Sequence, residues 1–121
     1  MEQSTEADVV NDVVLRGRVS AEPEVRELPS GSVLVGFRLV LTRARTPMTA
    51  ASKVVSDWVE CTAWGARVRK QAESWHEGDH VEVRGSLRRR YFKDGGTGVV
   101  VEMLGGRLVR RARAGESTRA G

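Results

Sequence analysis

Flat rings and guanidinium groups alternate along two short stretches of this chain. The first is Asp57-Trp58-Val59-Glu60-Cys61-Thr62-Ala63-Trp64. Extended as a strand, it places Trp58, Glu60, Thr62 and Trp64 on one face and the small apolar Val59, Cys61 and Ala63 on the other. The apolar side suits a packed interior, so the two indoles share a wet face with a carboxylate and a hydroxyl. Exposed aromatic surface of that kind marks a binding site. In the second stretch, Leu87 to Phe92, one face carries Arg88, Arg90 and Phe92, and the other carries Leu87, Arg89 and Tyr91. Rings stack on bases and guanidinium groups pair with phosphates, so together they suit a single nucleic-acid strand. Neither contact reads a base edge, so low sequence specificity is expected. A structural alternative for Trp64 is a lid over one end of the fold, and for Arg88 and Arg90 an ordinary solvated surface.

The remaining cations extend this set. Arg38 lies on the outward side of a strand, and Arg43, Arg45 and Lys53 lie in or beside a long polar connection. Net charge is +4, unevenly spread: residues 1–60 hold 7 Lys and Arg against 9 Asp and Glu, and residues 61–121 hold 13 against 7. The positive excess is mostly arginine. No apolar run approaches the ~20 residues of a membrane span, and the polar, acidic start has no signal-peptide pattern. A single cysteine cannot form an internal disulfide, so a cytoplasmic location is the default. Cys61, on the inward side, reads as a small buried hydrophobe. His76 and His80 are separated by Gly78 and lack a third ligand nearby, which argues against zinc. No phosphate-binding glycine loop or nucleophile motif is present, so neither an enzyme nor a cofactor is expected.

These residues need a β scaffold, and at 121 residues a single domain is expected. Strand patterns run over Val9–Val19, Val33–Arg43, Asp57–Trp64, Val81–Leu87 with an extension to Lys93, and Val99–Leu104. Gly17 is a candidate bulge, Gly85 a candidate bend, and Asp94-Gly95-Gly96 a hairpin turn. Leu28 to Ser32 is a further turn. In the second strand Val33, Val35, Phe37, Leu39 and Leu41 form the core face. Ala66 to Trp75 is the one helical pattern, with Val68, Ala72 and Trp75 on its apolar stripe and Gly78 as its stop. Trp75 and Phe37 therefore belong to the core. Three strands, a helix and two strands is the chain order of an all-β, five-stranded OB-fold Greek-key barrel with one short helix between strands 3 and 4. Such barrels bind oligonucleotides on the face of strands two and three, the face of Trp58 and Trp64. The expected layout is a disordered lead over 1–8, the OB-fold over 9–109 and a short basic disordered tail over 110–121.

The chain also resembles the bacterial single-stranded DNA-binding protein family. The resemblance rests on Asn11–Arg18 (N-D-V-V-L-R-G-R), Pro23–Gly31 (P-E-V-R-E-L-P-S-G), Val35–Leu39 (V-G-F-R-L), Asp57–Gly65 (D-W-V-E-C-T-A-W-G) and Gly78–Phe92 (G-D-H-V-E-V-R-G-S-L-R-R-R-Y-F). The resemblance implies an OB-fold that wraps single-stranded DNA as a homotetramer, with a dimer as the alternative, serving replication, recombination and repair in the cytoplasm near the nucleoid. It puts the stacking aromatics on Trp58, Trp64 and Phe92 and the backbone-contacting cations on Arg88 and Arg90. The sequence departs from the family at three points. Thr42 to Met48 offers Arg43 and Arg45 but no further stacking tryptophan, the long linker is missing, and the chain ends in basic residues instead of an acidic tip. Recruitment of repair enzymes through an acidic tail is therefore not expected, and an accessory paralogue fits these departures. An OB-fold used as a protein-interaction module, or as a single-stranded RNA binder, is the competing expectation.

Overall fold

The computed structural model describes residues 8–113. The expected lead over 1–7 and the tail over 114–121 lie outside the described residues.

The chain forms strands β1 (Val13–Val19), β2 (Glu24–Glu27), β3 (Val33–Thr42) and β4 (Ser56–Ala63), helix α1 (Ala66–Glu73), and strands β5 (His80–Tyr91) and β6 (Thr97–Arg110). The sheet runs β1-β5-β6-β4-β3, and β1 pairs again with β3 to close it into a five-stranded barrel. All barrel neighbours are antiparallel except β4 and β6, which meet in parallel at Glu60–Thr62 against Val100–Glu102. This is the OB-fold barrel, with its helix between the third and fourth barrel strands.

Alternation dictates the interior. Val35, Phe37 and Leu39 of β3, Cys61 and Ala63 of β4, Val81 and Val83 of β5, and Val101 and Met103 of β6 point inward and are buried. Val33 and Leu41, expected with them, lie nearer the barrel ends and are half-buried. The ring of Trp75 closes the interior from the helix side and packs edge-on against Phe37, with centroids 5.5 Å apart at 90°, a favoured aromatic geometry. Burial pushes the Cys61 thiol up to about 12, so the group is an apolar filler rather than a nucleophile.

Five local features differ from the sequence expectation. β1 starts at Val13 rather than Val9, because the Asn11 amide takes over the ladder: Leu87 N–H donates to Asn11 Oδ1 at 2.8 Å and Asn11 Nδ2 donates to Leu87 O at 3.0 Å. β1 also passes Gly17 in unbroken register with Val81, with no bulge there. A short strand, β2, pairs with β3 from Glu24↔Gly36 to Glu27↔Val33, although Pro23 and Pro29 flank it. The helix ends at Glu73 with Ser74 as its C-cap, short of Gly78. Ser74 and Trp75 N–H close the last turn on Gln71 and Ala72 at 3.1 Å each, turning Trp75 into the core. β6 runs through Gly105-Gly106 to Arg110, well past Leu104. A Cβ at Gly106 would meet Glu82 O at 2.6 Å and the Trp75 ring at 3.3 Å, so glycine there permits close pairing instead of ending the strand.

The bend expected at Gly85 is present. The β5–β6 register shifts between Arg84 and Gly85, and a Cβ at Gly85 would collide with the Glu102 carbonyl. Past this point β5 and β6 continue as a long hairpin. Its turn carries Gly95 at φ 94 and the bond from Phe92 N–H to Gly96 O at 2.8 Å.

Candidate nucleic-acid interface

Strand register gathers one outer face across β3, β4, β6 and β5. Trp58 stands opposite Val40 and Glu60 opposite Arg38 on β3. Glu60 and Thr62 stand beside Val100 and Glu102 of β6, which in turn face Arg88 and Ser86 of β5. Paired residues in a sheet project to the same side. The face therefore carries Arg38, Trp58, Glu60, Thr62, Trp64, Arg88 and Arg90 together, although the sequence separates them by up to half its length.

The two indoles differ in setting. Trp58 is 59% exposed, and the Arg38 guanidinium lies over its ring at 4.0 Å from the centroid. This cation–π contact covers one side of the ring and holds the rest of it in place. Trp64 is 42% exposed and follows directly after β4. Its Nε1–H donates to Thr62 Oγ1 at 3.2 Å, which fixes the ring over a depression shared with Arg26, Leu34, Arg88, Arg90 and Val100. Phe92 lies just beyond β5 with Arg90 at 5.4 Å from its ring centroid. Trp64, Arg88 and Arg90 thus line one depression, with Phe92 reached through Arg90.

Carboxylates thread through this face. Glu60 accepts from Arg90 Nη1 at 2.6 Å on one oxygen and from Arg26 Nη2 at 3.1 Å on the other. Glu102 accepts from Arg88 Nε at 3.0 Å. Three of the cations on the face are therefore held in ion pairs before any ligand arrives. Charge-assisted bonds of this type orient a guanidinium while leaving its other N–H groups available.

The β3–β4 connection holds the other expected cations. Arg43 forms a two-pronged pair with Asp57, both contacts at 2.9 Å, and also reaches Ser52 Oγ at 3.4 Å. These bonds hold the Asp57 carboxyl below its usual range. Asp57 pairs with Leu41 and so has the opposite parity to Trp58. Arg43 thus staples the loop to the start of β4 and is not brought to the ring face. Arg45 and Lys53 are exposed in the loop. The loop itself is built on turns, with Thr49 Oγ1 donating to Ala44 O at 2.7 Å and Ser52 N–H to Thr49 O at 3.0 Å.

Sequence reading missed Arg26 and the part played by Glu60 and Glu102. Arg26 sits on the unexpected strand β2. Its signal was the alternation in Glu24-Val25-Arg26-Glu27, too short to stand alone between two prolines. Glu60 registered only as a mark of a wet face.

The family model of the single-strand binding protein family matches residues 10–111. The fold also matches the structure titled Plasmodium falciparum SSB complex with ssDNA, with a TM-score of 0.65, 22% identity, and coverage of 84% of this chain and 95% of that one. Closed barrel, helix position and the span of the match agree with each other, and the chain belongs to the single-strand binding protein family.

Proposed function

We propose that this protein binds single-stranded DNA with low sequence specificity, using Trp58, Trp64 and Phe92 as stacking platforms and Arg38, Arg88 and Arg90 as phosphate partners. The observation that carries this reading is the shared outer face: two exposed indoles, on β4 and just after it, and arginines from β3 and β5, drawn together by strand register. Family membership supports it independently. The strand lies across the barrel, with bases against the rings and phosphates passing along the guanidinium groups. Each stacked base contributes ~1–3 kcal/mol whatever its identity. Backbone contacts are equally indifferent to sequence and give affinity a steep dependence on salt.

Arg45 and Lys53 supply loop cations that a longer strand reaches. Assembly as a homotetramer, or a dimer, and action on DNA exposed during replication, recombination and repair belong to the same proposal. So does a location with the DNA of the cytoplasm. Among the described residues no helix is long and apolar enough to cross a membrane. The role is one of binding, with no catalytic step.

Titration with oligo-dT, oligo-rU and duplex DNA, followed by tryptophan fluorescence at two salt concentrations, tests the reading. Quenching by oligo-dT that weakens with salt is expected. Absence of quenching at low salt would falsify it. Equal affinity for duplex DNA would leave only a basic surface, and a preference for oligo-rU would reassign the face to RNA.

A further inference from the structure

A second groove of about 1080 Å³ opens on the far side of Trp58, where β1 crosses from β5 to β3. Arg16, Arg18, Arg38, Trp58, Val55 and Val109 are among the residues that line it. Its electrostatics differ from those of the ring face just described. Glu60 and Glu102 interrupt that face, whereas no aspartate or glutamate among the described residues lines this groove. Arg16 is held by Glu82 at 2.8 Å from outside it. Arg38 spans both regions, stacked on Trp58. Arg18 is the telling residue: it stands opposite Val40 and His80, and its Nη1 is buried without a hydrogen-bond partner. A guanidinium N–H removed from water and given no acceptor carries its desolvation cost uncompensated. An anionic oxygen in the groove removes that cost once the guanidinium turns to present Nη1 to it.

We infer that this groove is a further nucleic-acid subsite, in which Arg18 takes a phosphate of the strand that leaves Trp58. The inference rests on the binding reading above. The indole forms a wall of the groove, so a base stacked on it delivers the next phosphate to the groove mouth. Exposed Val55 and Val109 offer apolar surface for the sugar or base that follows. The subsite binds only when the strand is long enough to pass beyond the stacking face, so it contributes to site size and not to the first contact.

The test compares short and long oligo-dT, of roughly 4 and 16 nucleotides, the range of site sizes for one OB-fold. Arg18→Ala is expected to weaken the long oligonucleotide about tenfold, in line with loss of one charged hydrogen bond, and to flatten its salt slope by about 0.7. The short one is expected to bind as it does to the unaltered protein. Because Arg18 lies at the β1–β3 seam, Thr42→Glu provides a second variant: it places a carboxylate on the exposed groove wall and is expected to reproduce the length-dependent loss. Unchanged binding of the long oligonucleotide in both variants overturns the subsite while the stacking face stands. A changed molar mass by light scattering with unchanged affinity also overturns it, and assigns the groove to contact between copies. Failure of the unaltered protein to bind any oligo-dT removes both readings.

Discussion

The Glu60 carboxylate lies 2.6 Å from Arg90 Nη1, on the face that β4 shares with Trp58 and with Trp64 just beyond the strand. With Arg26 on its other oxygen, this single acid neutralises part of the surface proposed to attract phosphates. A strand that binds here competes with Glu60 for both guanidinium groups. Glu60→Gln removes the competing charge and keeps the shape. We expect tighter oligo-dT binding at low salt, by roughly three- to tenfold, and a steeper salt slope, since more phosphates are then neutralised per protein. Fluorescence titration at several salt concentrations measures both. Weaker binding would instead mean that Glu60 acts by aiming the arginines.

Trp58 and Trp75 make a paired prediction about exposure. Trp58 is 59% exposed and Trp75 1%. Trp58→Ala is expected to cost ~1–3 kcal/mol of binding while the melting temperature stays close to that of the unaltered protein. Trp75→Ala removes the ring that packs against Phe37 and is expected to cost ~3–5 kcal/mol of folding stability. Thermal melts followed by circular dichroism separate the two. A Trp58→Ala protein that fails to fold would show that this ring belongs to the core.

What could be read in the sequence followed from period-two alternation inside single strands. The faces of β4 and of Leu87 to Phe92 needed no partner strand to be assigned, nor did the inward set Val35, Phe37 and Leu39. What stayed hidden depended on pairing between distant segments. Arg26 and Arg90 converge on Glu60 from 34 and 30 residues away, a relation that only register creates. Gly105-Gly106 resembles a strand end in sequence, and its role becomes visible only with the Glu82 carbonyl and the Trp75 ring against Gly106. Val9 and Val10 suit a strand by residue type, but the side-chain amide of Asn11 completes the ladder ahead of β1.

Gly85 marks where the barrel bends into the hairpin that presents Arg88, Arg90 and Phe92. A side chain there collides with the Glu102 carbonyl, so Gly85→Ala must shift β5 against β6. The expected cost is ~1–3 kcal/mol of stability, typical of overpacking. Because the bend aims the arginines, affinity for oligo-dT is expected to fall as well, even at a temperature where the variant is fully folded. Denaturant titration together with fluorescence titration checks the two effects. Unaltered stability would show that the bulge has slack.

Asp79 ties the end of β6 to the turn after the helix, and it makes stability depend on pH. Its side chain is 1% exposed. It accepts from the backbone N–H groups of His76 and Ala112 at 2.9 Å each and from Arg111 Nη1 at 2.7 Å. Burial pushes the carboxyl up, but these N–H groups and the guanidinium outweigh it and hold the group below its usual value. A carboxyl depressed in the folded state binds protons more weakly there than in the unfolded chain. Its contribution is therefore complete above the unfolded value of ~3.9 and is lost as pH falls through the folded one. Urea melts at steps from pH 7 to pH 3 are expected to show stability declining only below about pH 4–5. Asp79→Asn removes the charge that Arg111 needs and leaves one backbone donor without its partner. It is expected to lower stability at pH 7 by ~3 kcal/mol and to flatten the acid limb. An acid limb in Asp79→Asn as steep as in the unaltered protein would transfer the effect to the other depressed carboxyls, Glu22, Asp57 and Glu82.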